Sequence, residues 1–233
     1  GIISAIEFSD SGPVGEVVPV LEEPWHLSYP FLIEDGGELW MIPESSTHGD
    51  VALYKCVRFP DKWERHATLL SGLELADVTI TRHNGLSYLF GAWRDGTGGY
   101  SDSLAIYYAE HLLGPWLPHA SNPVLIDRAS TRPAGNFVTI NDKLWRPVQN
   151  CTDGYGAALA LAEVIERGDL SGERQHRVGV ALIVVGHVRQ ALDLPHRVEA
   201  EPADDAAVER RGLRVVPRPG AGGEPGHRGH PAP

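Results

Sequence analysis

Apolar and polar positions along the first two thirds of the chain fall into short runs, each closed by a tight polar turn, and the runs recur. Pro30-Phe-Leu-Ile-Glu-Asp-Gly36-Gly-Glu-Leu-Trp40-Met-Ile, Asp77-Val-Thr-Ile-Thr-Arg-His-Asn84-Gly85-Leu-Ser-Tyr88-Leu-Phe and Asn136-Phe-Val-Thr-Ile-Asn141-Asp142-Lys-Leu-Trp145 each read as strand, turn and aromatic-bearing strand. The Asn and Gly residues supply the positive φ angles of tight hairpins, which predicts turns at Asp35-Gly36, Asn84-Gly85 and Asn141-Asp142. A third strand follows in each unit, Val51 to Cys56, Leu104 to Ala109 and Ala157 to Val164. An outer segment bearing Pro and Trp comes next, Phe59-Pro-Asp-Lys-Trp63 or Leu113-Gly-Pro-Trp116. Tyr54 and Tyr107 are 53 residues apart, and the pairs Trp63/Trp116 and His66/His119 repeat that offset. Short strands in fours at a period of about 50 residues are the signature of propeller blades. Helical periodicity is nowhere sustained, which argues against an α-solenoid. The opening Gly1-Ile-Ile-Ser-Ala-Ile-Glu-Phe8 reads as the third strand of a preceding blade. The chain thus enters mid-blade, completes two blades and begins another.

Composition splits the chain near residue 166. All six Trp, seven Tyr and five Phe lie at or before Tyr155, Lys ends at Lys143, Asn at Asn150 and Thr at Thr152. A segment without aromatics struggles to bury enough area to offset its ordering entropy. Residues 1–166 are therefore expected to form the propeller, and 167–233 a poorly ordered, low-complexity tail. Because repeat and composition break together, translation of a GC-rich gene in a shifted frame is favoured over a natural tail. The formal net charge of −11 argues against a nucleic-acid partner, which requires a basic face. No apolar run is long enough to span a membrane. Cys56 and Cys151 have no metal-ligand spacing, and neither a metal nor a cofactor is expected. Two isolated reduced thiols are favoured over a disulfide, which leans toward the cytoplasm. The chain opens at Gly1 without a Met, so a lost signal peptide stays open.

His26-Leu-Ser-Tyr-Pro-Phe31, Trp40-Met-Ile-Pro-Glu-Ser45, Phe59-Pro-Asp-Lys-Trp63, Leu113-Gly-Pro-Trp116, Arg132-Pro-Ala-Gly135, Arg146-Pro-Val-Gln149 and Tyr155-Gly156 together resemble the N-terminal propeller of the glucosamine inositolphosphorylceramide transferase family. That module is related in fold to the five-bladed glycoside hydrolases of the family forty-three type. The resemblance implies an all-β, partial five-bladed β-propeller with antiparallel blades. It also implies carbohydrate handling beside a fused or partner transferase domain, which is not recognisable here.

In a propeller, polar groups at the ends of the inner strands converge on the axis. The repeat alignment selects His26, Tyr29, Asp77 and Arg132 at the first strand, and Glu44 and Gln149 four residues beyond Trp40 and Trp145. Core packing would place apolar residues there. Glycoside hydrolysis needs two carboxyl groups, and Glu44 and Asp77 are the available pair. Alternatively, Glu44 caps a turn after Pro43 and Asp77 satisfies backbone N–H groups at a strand start. Related hydrolases place their base on the first blade's inner strand, which is absent here. Arg132 and Arg146 offer paired donors to a phosphate or uronate, or else an ion pair to Asp77 or Glu44. Trp93 and Tyr155 are candidate sugar-stacking rings, although packing is the commoner role of such residues. The expected function is therefore a module that binds a glycan or glycoconjugate and assists or performs glycosyl transfer or hydrolysis. The alternative is a non-catalytic scaffold for another protein, which an apolar plug in the cavity would favour.

Overall fold

The structure, a computed structural model, describes residues 1–94, 96, 98–166, 178–179 and 213–217. It is all-β and antiparallel, a partial five-bladed propeller. The first blade contributes β1 (Ile2–Ser9) and β2 (Gly12–Glu22). The second is a four-stranded sheet of β3 (Ser28–Asp35), β4 (Glu38–Glu44), β5 (Asp50–Arg58) and β6 (Lys62–Ser71). The third has β7 (Leu75–His83), β8 (Leu86–Trp93) and β9 (Ser103–Ala109), with β10 (Leu117–Pro118) and β11 (Leu125–Ile126) both pairing with β9. The fourth has a split inner strand, β12 (Arg132–Pro133) and β13 (Val138–Ile140), followed by β14 (Lys143–Asn150) and β15 (Ala158–Glu163).

Two of the three predicted hairpins turn where the sequence places them. His83 pairs with Leu86 around Asn84-Gly85, and Ile140 with Lys143 around Asn141-Asp142. In the second blade Asp35 is itself paired, to Glu38, so the turn falls one residue later, on Gly36-Gly37. Both glycines have positive φ, at 62° and 78°, which side chains rarely tolerate. A Gly-Gly pair is therefore a better centre for that hairpin than Asp-Gly.

Blades stack face to face, so the middle strands are buried on both sides. Trp40 and Ile42 pack against Leu75, Val78, Ile80 and Leu89 of the third blade, while Met41 between them joins Ile3 and Ala5 of the first. Likewise Leu89 faces the second blade, whereas Tyr88 and Phe90 meet Phe137 and Val164 of the fourth. Period-2 side-chain alternation with apolar partners on both faces explains why these strands read as continuous apolar runs.

Ile165–Glu166 (β16) pairs with Val178–Gly179 (β17), and Leu213–Pro217 (β18) pairs antiparallel with β1. The β18 pairing occupies the β1 edge opposite β2, where a second blade strand belongs. The expectation of an unstructured tail otherwise lies outside the described residues. Among the described residues, no helix is long and apolar enough to cross a membrane.

Candidate functional site

The inner strands of the second and third blades carry the same irregularity at the same place. In β3, Ser28 pairs with Glu44 and Phe31 with Ile42, leaving Tyr29 and Pro30 opposite one residue. In β7, Ala76 pairs with Ala92 and Thr79 with Phe90, leaving Asp77 and Val78 opposite one residue. Each bulge puts a non-glycine residue in the left-handed region, Tyr29 at φ 39° and Asp77 at φ 53°. Such bulges re-aim side chains, here those at the axial ends of the strands. In the fourth blade the inner strand breaks after Pro133, and Arg132 is held opposite Gln149.

These ends meet across three blades. Oδ2 of Asp77 accepts hydrogen bonds from Arg132 Nε at 2.6 Å and Gln149 Nε2 at 3.0 Å. Glu44 accepts from the Ser28 hydroxyl at 2.8 Å and the Ser46 hydroxyl at 2.6 Å, and it lies near enough for its charge to act on Asp77. The Tyr29 hydroxyl shares a 2.8 Å hydrogen bond with Thr79. Glu44, Asp77 and Arg132 are all buried. Burial pushes the Asp77 carboxyl up to about 7; the charge of Arg132 opposes this and the adjacent Glu44 adds to it. Tyr29 is raised to about 12, again chiefly by burial.

Arg146 was expected to join Arg132 at this site; among the described residues it makes no hydrogen bond to Glu44 or Asp77. It is fully buried, and its Nη1 and Nη2 donate to the backbone carbonyls of Thr131 at 2.9 Å and Ser130 at 2.5 Å. Its Nε has no partner, and burial lowers its pKa to about 10. Both terminal nitrogens are spent on that backbone, although Arg146 stays near enough to Tyr29 for the two charges to interact. Arg146 thus braces the two residues that precede Arg132. Tyr155 is exposed, with its ring 4.7 Å from the Arg132 guanidinium. Trp93, at the end of β8, packs against the core between the second and third blades. His26 is exposed on the β2–β3 connection and shares no hydrogen bond with the polar set.

Sequence reasoning missed Ser28, Ser46 and Thr79, which orient the carboxyl and phenol groups. Ser28 and Thr79 flank the two bulges, and only the paired register exposes that. Two cavities lie away from this set. One of about 480 Å³ opens between the third and fourth blades at the hairpin ends of the strands, beside His83, Phe90 and Lys143. The other, of about 420 Å³, lies on the outer β1–β2 hairpin beside Phe59. Among the described residues, no cluster of three or more His, Cys, Asp or Glu is placed to hold a metal.

Stacked antiparallel blades with polar side chains gathered at one axial end define a β-propeller of the five-bladed class. Residues 1–190 match the family described as glucosamine inositolphosphorylceramide transferase 1, N-terminal, and the chain belongs to that family. The Arabidopsis thaliana glucosamine inositolphosphorylceramide transferase 1 is 34% identical over 168 residues, 70% of this chain and 22% of the relative. Its counterpart from Oryza sativa subsp. japonica is 31% identical over 169 residues, with the same coverage of 70% and 22%. The chain thus spans about a fifth of the length of the curated relatives it matches. In fold it is similar to a thermostable family-43 glycoside hydrolase, with a TM-score of 0.52 and 12% identity over 78% of this chain and 70% of that one. It is also similar to a GH43 protein from Bacillus licheniformis, with a TM-score of 0.51 and 20% identity over 74% and 36% of the two chains.

Proposed function

We propose that this propeller binds a glycan or glycoconjugate at its polar axial end and serves a glycosyl-transfer reaction carried out by another domain or protein. The observation that carries this reading is the convergence of Glu44, Asp77, Arg132 and Gln149 from three blades. An apolar plug would have favoured the scaffold alternative, and these side chains are polar. The relatives are named glucosamine inositolphosphorylceramide transferase 1, which supports a glycosyl-transfer setting for this module.

Binding is favoured over hydrolysis because both carboxyls are already engaged within the protein: Glu44 accepts from Ser28 and Ser46, and Asp77 from Arg132 and Gln149. In this reading Glu44, Asp77 and Gln149 form a polar wall for hydroxyl groups. Arg132 offers the two terminal nitrogens that bond no described residue, and Tyr155 lends an exposed ring beside them.

The test is a glycan-array screen of the full chain, followed by titration calorimetry on the best ligand for the wild type, Arg132→Ala and Gln149→Ala. Loss of about tenfold or more in affinity, with near-UV circular dichroism unchanged, is expected for Arg132→Ala, the worth of one charge-assisted hydrogen bond. Unchanged affinity in both folded variants removes the ligand from this face.

A further inference from the structure

We propose that His48 is a further ligand-contacting residue of the axial end, its ring held by Trp25 and Asp50 so that Nε2 is presented as the acceptor for a sugar hydroxyl. The inference rests on the glycan-binding reading and adds to it a specificity-determining contact on the connection that follows Glu44.

Two connections of the second blade place the ring. Ser28 and Ser46 donate to Glu44 at 2.8 and 2.6 Å. Ser46 and His48 belong to one short 3-10 turn, Ser46–His48. Trp25 stands three residues before Ser28 on the β2–β3 connection, and its ring stacks on that of His48 with centroids 3.9 Å apart and planes 23° from parallel. The Cα atoms of His48 and Trp25 are therefore at most about 7 and 11 Å from those of the two serines bonded to Glu44. The stack borders the polar wall.

One imidazole nitrogen is already spent. Nδ1 of His48 lies 3.0 Å from Oδ1 of Asp50. Asp50 is buried, accepts a hydrogen bond from the Ser45 hydroxyl at 3.0 Å and is ion-paired to Arg65. An ion-paired carboxylate can only accept, so the proton of the neutral imidazole sits on Nδ1 and Nε2 keeps its lone pair. The His48 side chain is 36% exposed, and Nε2 bonds no described residue.

Pinning the two connections together accounts for the ring face and for Nδ1, and leaves Nε2 without a task. Binding sites orient a ligand through a few fixed polar groups beside aromatic surface, which is the arrangement here. Glu44 and Asp77 are occupied by donors of the protein, whereas His48 offers a neutral acceptor that no protein donor takes. A site built to bond a hydroxyl discriminates against the analogue that lacks it, so Nε2 would select for a hydroxyl at one position of the sugar.

The test is titration calorimetry of the full chain with methyl glucoside and each of its monodeoxy analogues, for the wild type, His48→Phe and Arg132→Ala. His48→Phe keeps a ring over Trp25 while removing both nitrogens. It should bind methyl glucoside about five- to tenfold more weakly, the worth of one hydrogen bond. One monodeoxy analogue should bind the wild type and His48→Phe alike, which is the signature of a direct contact. A loss that every analogue shares equally marks a displaced connection and overturns the contact. Carbethoxylation of His48 by diethyl pyrocarbonate, followed peptide by peptide in a mass spectrometer, should be slowed by methyl glucoside. Unchanged affinity in His48→Phe, or a modification rate that bound glucoside does not alter, overturns the contact; a loss in Arg132→Ala then leaves the glycan reading standing. Failure of methyl glucoside to bind the wild type overturns that reading and the contact with it.

Discussion

Asp77→Asn tests the electrostatics of the site through stability alone. Asn tolerates the left-handed backbone that Asp77 adopts at φ 53°, and its amide keeps an acceptor for Arg132 and Gln149, so the bulge should persist. The folded-state carboxyl is raised from 3.8 to about 7, first by burial and then by Glu44 against the pull of Arg132. A raised carboxyl means that the native state holds a proton the unfolded chain has already released. The contribution is therefore fully present below about pH 4 and lost as pH rises to about 7. That shift corresponds to on the order of 4 kcal/mol, with little solvent screening because Asp77 is 3% exposed. Urea unfolding at several pH values should show the wild type losing stability relative to Asp77→Asn between pH 4 and 8. The midpoints should converge or cross by roughly 2 M, since a domain of this size unfolds with a slope near 2 kcal/mol per molar. A stability difference that stays constant over this range refutes the raised Asp77 carboxyl.

Three further outcomes follow from the packing. Arg146→Met should lower stability by about 2–3 kcal/mol in urea unfolding, because the Ser130 and Thr131 carbonyls lose charged donors, and it should weaken glycan binding through the displaced Arg132. Gly114→Ala should cost about 1–3 kcal/mol in thermal unfolding, since Gly114 sits at φ 86° and a Cβ there would come within 2.9 Å of the Trp116 nitrogen. Leu89→Ala, at a side chain with no exposure between the second and third blades, should cost about 2–5 kcal/mol in either assay.

Much of the fold was legible because propeller blades are made of local decisions. Asn84-Gly85 and Asn141-Asp142 turn the chain within a few residues, and the offset from Tyr54 to Tyr107 follows from stacking like units. The Asp35 turn was misplaced by one residue because Asp-Gly and Gly-Gly compete within the same four positions, and the paired register decides between them. The repeat also marked Glu44, Asp77, Arg132 and Gln149 as polar residues where packing would ask for apolar ones.

The sequence by itself determined the strand order, the blade repeat and the residue types that gather at the axial end, because each depends on period-2 alternation and turn chemistry. Only the tertiary structure decided what those residues do to one another. Arg132 and Arg146 are alike in sequence, yet one meets Asp77 while the other is sealed beneath the Ser130–Thr131 backbone, a difference set by strand face and blade stacking. The influence of the Glu44 charge on Asp77 likewise arises from a bulge on one blade and a strand end on the next. Charges in a buried site act through distance and dielectric, and a linear sequence specifies neither until the blades have packed.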